Sequence, residues 1–239
     1  MRHQTLGFAL AAGCALMTGT AQAQLFDRGG GLIYDSTLNV TWLADANYAQ
    51  TSGYDADGRM NWNDAIAWVA DLEYYDAVRN ATYSDWRLPT LTDLGSPGCN
   101  YAFGGTDCGY NVDTASSELA SLFYGALGNK AVVNSSGQQQ LDHGLIDDPN
   151  NPNDETLFSN LQSDYYWFGT PVALSGNTSA WFFRFATGEQ YQALAAASLM
   201  RALAVRDGDL APVPLPGAVW LFGAPLLGWM VNRRRQFTT

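Results

Sequence analysis

Tyr165-Tyr166-Trp167-Phe168-Gly169-Thr170, Ala180-Trp181-Phe182-Phe183-Arg184-Phe185 and Gln190-Tyr191-Gln192-Ala193-Leu194 are short runs crowded between positions 165 and 194. Aromatic residues fit a pleated, half-buried surface, and runs of this length bounded by turn formers read as strands. Thr187-Gly188 supplies a hairpin turn between the second and third. A fourth strand is expected over Ala202 to Arg206, so the C-terminal half reads as an antiparallel sheet. Period-two alternation sets the question these strands pose for function. If two of Tyr165, Tyr166, Trp167 and Trp181 share the outer face, they form a stacking platform; if all point inward, they are packing.

Upstream, Leu32-Ile33-Tyr34 and Val40-Thr41-Trp42-Leu43 flank the turn residues Asp35-Ser36-Thr37 and predict a strand pair. Residues 45–60 are polar and form a loop. Asn61 then caps a helix whose core face is Trp62, Ala65, Ile66, Val69 and Leu72. Thr90 and Asp93 have the spacing of a capping box, which predicts a short helix over residues 91–94. Leu119, Leu122, Phe123 and Ala126 predict another helix, capped by Thr114. Residues 128–162 show no periodicity and read as a long loop. The expected fold is α+β: one domain over residues 24–208, with a twisted antiparallel sheet backed by two or three helices and long loops.

Both ends of the 239-residue chain read as addresses rather than as fold. Arg2 and His3 precede an apolar run ending at Met17, and Ala21-Gln22-Ala23 has the form of a signal-peptidase site, giving a signal peptide over residues 1–23. Cys14 within it offers a lipoprotein alternative. At the other end, Val213-Pro214-Leu215-Pro216 closes a stalk over residues 209–216. A short membrane segment over residues 217–232 follows, and Arg233, Arg234 and Arg235 lie in a basic tail over residues 233–239. The apolar stretch from 217 to 231 rises roughly 22 Å, short of a ~30 Å hydrocarbon core unless the bilayer thins. The basic cluster belongs on the cytoplasmic side, which leaves the domain outside.

Charge narrows the partners. With Arg2 and the three terminal arginines set aside, eight of the twelve basic residues face all twenty-three acids, a net charge of −15. Such a surface repels polyanions, which excludes nucleic acid. Cys99 and Cys108 in a Gly-rich loop are expected to form one disulfide in an oxidising compartment. Asp55-Ala56-Asp57-Gly58 resembles the start of a calcium loop, with Asp45 and Asn47 upstream, and residues 147–155 form a second acidic loop. Calcium is therefore the one candidate cofactor, although the remaining EF-hand positions are missing. His143 is the only histidine left after processing, and no nucleophile elbow precedes a helix, so the chain does not read as an enzyme.

The proline motif, apolar helix and basic cluster at residues 213–235 resemble the PEP-CTERM sorting signal recognised by an exosortase-type processing enzyme, with Pro214-Leu215-Pro216 in place of Pro-Glu-Pro. Gly31-Leu32-Ile33-Tyr34-Asp35, Val40-Thr41-Trp42, Asn61-Trp62, the block Ser84-Asp85-Trp86-Arg87-Leu88-Pro89-Thr90, Tyr166-Trp167 and Ala202-Leu203-Ala204-Val205-Arg206 together resemble the Lcl C-terminal domain family. That resemblance implies a C-type-lectin-like fold and adhesion through polysaccharide. Within the block, Trp86 and Arg87 read in two ways, as a sugar-stacking pair or as core filler with a guanidinium held by a buried acid. The second is favoured, and Arg184 and Arg206 read the same way. The expected function is an exported, surface- or matrix-associated protein contacting glycan or exopolysaccharide. A carboxylate-dependent hydrolase and a purely structural matrix protein are the alternatives.

Overall fold

The computed structural model describes residues 25–94, 103–104, 106–145, 157–173 and 175–210. The expected signal peptide, the motif at 213–216, the membrane segment, Arg233 to Arg235, Cys99 and the acidic loop at 147–155 lie outside the described residues. Ten strands and a few short helices are present among the described residues, which fits the α+β expectation. The strands are β1 (Leu25–Asp27), β2 (Leu32–Asp35), β3 (Val40–Leu43), β4 (Tyr74–Asp76), β5 (Ala81–Tyr83), β6 (Gly109–Tyr110), β7 (Tyr165–Pro171), β8 (Ser179–Arg184), β9 (Glu189–Leu194) and β10 (Val205–Asp207). In place of the single sheet expected, two four-stranded antiparallel sheets form, ordered β1-β2-β3-β10 and β6-β9-β8-β7, with β4-β5 as a separate ribbon.

The unbroken apolar runs explain why both sheets are sandwiched. Ile33, Val40, Trp42 and Val205 of the first sheet meet Tyr166, Phe168, Trp181 and Phe183 of the second in one core. The alternate residues, Leu32 and Leu43 with Trp167, Ala180 and Phe182, enter a second core. A strand covered on both faces is mostly apolar, and the four residues of β3 are all buried, with the one polar side chain, Thr41, donating its hydroxyl to the Gly208 carbonyl at 2.7 Å.

Helix α1 (Tyr48–Thr51) is a single turn, and α2 (Trp62–Ala70) is the one of ordinary length. Asn61 caps α2 as expected, its side chain accepting the Asp64 N–H at 3.0 Å. Ala65 and Val69 are buried as the spacing predicted, and Trp68 joins them. The helix expected over residues 91–94 does not form. Thr90 donates its N–H to the Glu118 carboxylate, Leu91 bridges Ser117, and Asp93 accepts the Trp181 indole and the Ala173 N–H. Both residues of the presumed capping box are thus engaged by other segments.

The third helix starts later and winds differently than expected. Ser117, not Thr114, caps α3 (Glu118–Ala120), which runs into a π-helical turn, Ser121–Ala126. Its wider winding still buries Leu119, Leu122, Phe123 and Ala126. The expected fourth strand begins only at Val205, since Met200 and Arg201 make isolated bridges instead. Between β8 and β9, the Gly188 and Thr187 N–H groups both donate to the Arg184 carbonyl. Gly188 has φ +68°, and a Cβ there would lie 2.7 Å from the Tyr124 hydroxyl and 3.0 Å from Ala131 Cα, so glycine is required twice over. The chain stays docked to Leu210, with Asp209 paired to Arg28 at 2.6 Å.

Candidate functional site

Two rows of side chains cross the second sheet on its second-core face. Direct pairing places Tyr165 opposite Arg184, Arg184 opposite Glu189, and Glu189 opposite Tyr110, one residue from each of the four strands. The next row is Trp167, Phe182 and Tyr191. The β7 end of that second row is closed, because Trp167 is fully buried and donates its indole N–H to the Met60 carbonyl at 2.9 Å. The remainder opens outward: Tyr165, Arg184, Glu189, Tyr110 and Tyr191 are all half-buried. Tyr165 packs edge-on against Phe182 at 5.4 Å, and Phe182 against Tyr191 at 6.1 Å, so the rings form a fixed strip.

Arg184 lies over the Tyr165 ring, its Cζ 5.0 Å from the centroid. Arg28, Arg59, Arg79, Arg87, Arg201 and Arg206 each form an ion pair with a carboxylate, and Arg184 is the one described arginine that has none among the described residues. Sequence reading grouped Arg184 with Arg87 and Arg206 as held by an acid; for Arg184 this is corrected. Glu189 stands directly across from it, and burial pushes that carboxyl above the ordinary glutamate range while the Arg184 charge partly offsets the rise. Burial and the Glu189 charge likewise raise the Tyr110 phenol. Ring faces, a free donor and a half-buried acceptor thus share one surface, and this is the chemistry a polyhydroxylated ligand needs.

Of the four aromatics singled out from sequence, only Tyr165 lies on this surface. Tyr166 and Trp167 are fully buried and Trp181 is nearly so, which corrects their assignment as ligand contacts. Tyr166 and Trp181 point into the first core, where Tyr166 meets Phe185 at 5.0 Å. The members the sequence missed, Tyr110, Glu189 and Tyr191, become visible only through cross-strand register.

The block at residues 84–90 is built into the frame by burial and hydrogen bonds. Trp86 is buried with its indole donating to the Tyr83 carbonyl, and Leu88 is fully buried. Arg87 pairs through its backbone with Val205, which adds a further extended segment beside β10. Its guanidinium grips Glu118 with two bonds of 2.7 and 2.8 Å and Asp207 with two more. The Pro89 carbonyl accepts the Gly169 N–H, and Thr90 meets the same Glu118. Arg206 is held by Asp85 with two bonds of 2.8 Å and lies over the Tyr83 ring.

Asp55 and Asp57 cap their own loop. Asp55 accepts the N–H groups of Asp57 and Gly58, and Asp57 that of Arg59. Among the described residues no group of three or more His, Cys, Asp or Glu side chains is placed to hold a metal ion. Cys108 is buried and disulfide-bonded, and its expected partner Cys99 lies outside the described residues. Among the described residues, His143 reaches the Gln140 carbonyl. No helix among the described residues is long and apolar enough to cross a membrane.

An α+β domain with a signature block in its frame and an aromatic strip on one sheet is what the fold and the site define. The chain belongs to the Lcl C-terminal domain family, whose model matches residues 31–206. No curated protein and no solved structure matches it.

Proposed function

We propose that this protein is exported and works as a surface- or matrix-associated binding module that contacts exopolysaccharide or a cell-surface glycan through the open part of the second-core face of β6-β9-β8-β7. The signal-peptide pattern and the sorting-tail pattern at the two ends supply the setting, with a C-type-lectin-like adhesin domain as the family analogue. The observation that carries the reading is Arg184, free of any carboxylate among the described residues and stacked on Tyr165. Indole and phenol rings pack on pyranose C–H surfaces, while a guanidinium donates to hydroxyls. Polar groups then set the orientation.

A polysaccharide array probed with the purified protein, with and without calcium, tests this directly. Binding to at least one polysaccharide is expected, weakened at least about tenfold by Arg184→Ala or Tyr165→Ala, a loss of about 1.4 kcal/mol. Both variants are expected to melt close to the parent. Absence of binding in both conditions, or variants that bind like the parent, would refute the assignment.

A further inference from the structure

We infer that this face, given the glycan reading above, selects neutral sugars that present adjacent hydroxyls and discriminates against uronic and sulfated ones, with Glu189 as the specificity-determining residue. Arg184 and Glu189 sit directly opposite one another on neighbouring strands, yet no ion pair within 4.0 Å joins them. A donor-only group and an acceptor-only group are therefore both available to the ligand. A sugar hydroxyl donates and accepts, so two adjacent hydroxyls can satisfy both groups together. A carboxylate or sulfate only accepts. It would match Arg184 but bring a second negative charge against the half-buried Glu189, which can neither donate to it when ionised nor move into bulk water without leaving the strip.

On the β7 side, Arg59 and Arg201 do not relieve that repulsion, since both bind Asp164, at 2.6 and 2.9 Å. Lys130 is the other cation in this region, exposed on the segment whose Val132 N–H donates to the Thr187 carbonyl at the β8-β9 turn. Outside the two terminal segments, and with the site's own pair included, eight basic residues face twenty-three acids. Placing like charges together is the standard physical means of rejecting a competitor that otherwise fits.

The test uses the purified protein on immobilised neutral polysaccharides (dextran, a β-glucan, a galactomannan) and acidic ones (a polyuronate, a sulfated galactan). Wild type is expected to bind its best neutral polysaccharide at least about tenfold more tightly than any acidic one. Glu189→Gln, which keeps shape and an acceptor, is expected to narrow that ratio to within about threefold. The ionic-strength dependence of the wild type gives an independent readout: residual binding to acidic polysaccharides should strengthen as salt screens the repulsion, and neutral binding should not. Acidic polysaccharides bound as tightly as neutral ones, or a ratio unmoved by Glu189→Gln, would overturn the specificity assignment while leaving the glycan reading standing. Binding to neither class would overturn the glycan reading, and this inference with it.

Discussion

Replacing Arg87 by alanine measures whether the Trp-Arg-Leu-Pro-Thr block is frame or contact surface. The guanidinium makes four side-chain bonds of 2.6 to 3.0 Å to Glu118 and Asp207. Its two carboxylate partners differ sharply, since the Glu118 side chain is 15% exposed and that of Asp207 is 81% exposed. Removing one partner of a fully buried pair costs about 3–5 kcal/mol because the other is left as an uncompensated charge. Arg87 is itself 30% exposed, so solvent screening brings the expectation for Arg87→Ala down to about 2–3 kcal/mol. The exposed partner should matter little, and Asp207→Asn is expected to cost under about 1 kcal/mol. Urea denaturation of the parent and both variants, disulfide intact, gives the two values from the midpoints at constant slope. Equal losses for the two variants, or a loss below about 1 kcal/mol for Arg87→Ala, would refute the structural assignment of the block.

Other outcomes follow from the same contacts. The Arg206 guanidinium, bonded to Asp85, holds that carboxyl below the ordinary aspartate range. Its contribution is therefore present above the unfolded value of 3.8 and lost as pH falls through the lower folded value, so Asp85→Asn should lower the melting temperature at pH 6 and lower it progressively less as pH falls below 3.8. Gly188→Ala should cost well over 2 kcal/mol, because strain at φ +68° adds to a clash with the Ala131 backbone, whereas Gly53→Ala, at φ +78° in open space, should cost only about 1 kcal/mol in thermal melts. Trp167→Phe should cost about 1–3 kcal/mol, chiefly through the space vacated in the second core, because the Met60 carbonyl loses its indole donor but still accepts the Met200 N–H at 3.0 Å. Tyr165→Phe should be near neutral in the same melts.

Local signals in the sequence were readable where local chemistry decides the outcome. The β2-β3 pair, the Asn61 cap with its helix, the three aromatic strands and the Thr187-Gly188 turn all form as their residues imply. Thr90 and Asp93 misled because capping spacing carries no information about Glu118, Trp181 and Ala173, which reach them from distant segments. The π-helical winding after Ala120 left no trace either, since Leu119, Leu122, Phe123 and Ala126 are buried under either winding. Alternation along one strand could not show that both faces of each sheet are covered, so Trp167 and Trp181 read as equal candidates although they enter different cores. The site itself is a row across four strands. Glu189 and Tyr110 gain meaning only once register puts them beside Arg184, and Arg184 looked structural until each other described arginine was seen with its acid.

Mapping a bound oligosaccharide onto the isotope-labelled protein by NMR tests the account most directly. With a neutral oligosaccharide identified by the array, the largest shift changes should fall on the Arg184 side chain and on Tyr110, Tyr165, Glu189 and Tyr191, while Trp86 and Arg87 stay still. Saturable changes centred on the Trp86-Arg87 block or on the Arg59-Arg201 edge, with the aromatic strip silent, would contradict it.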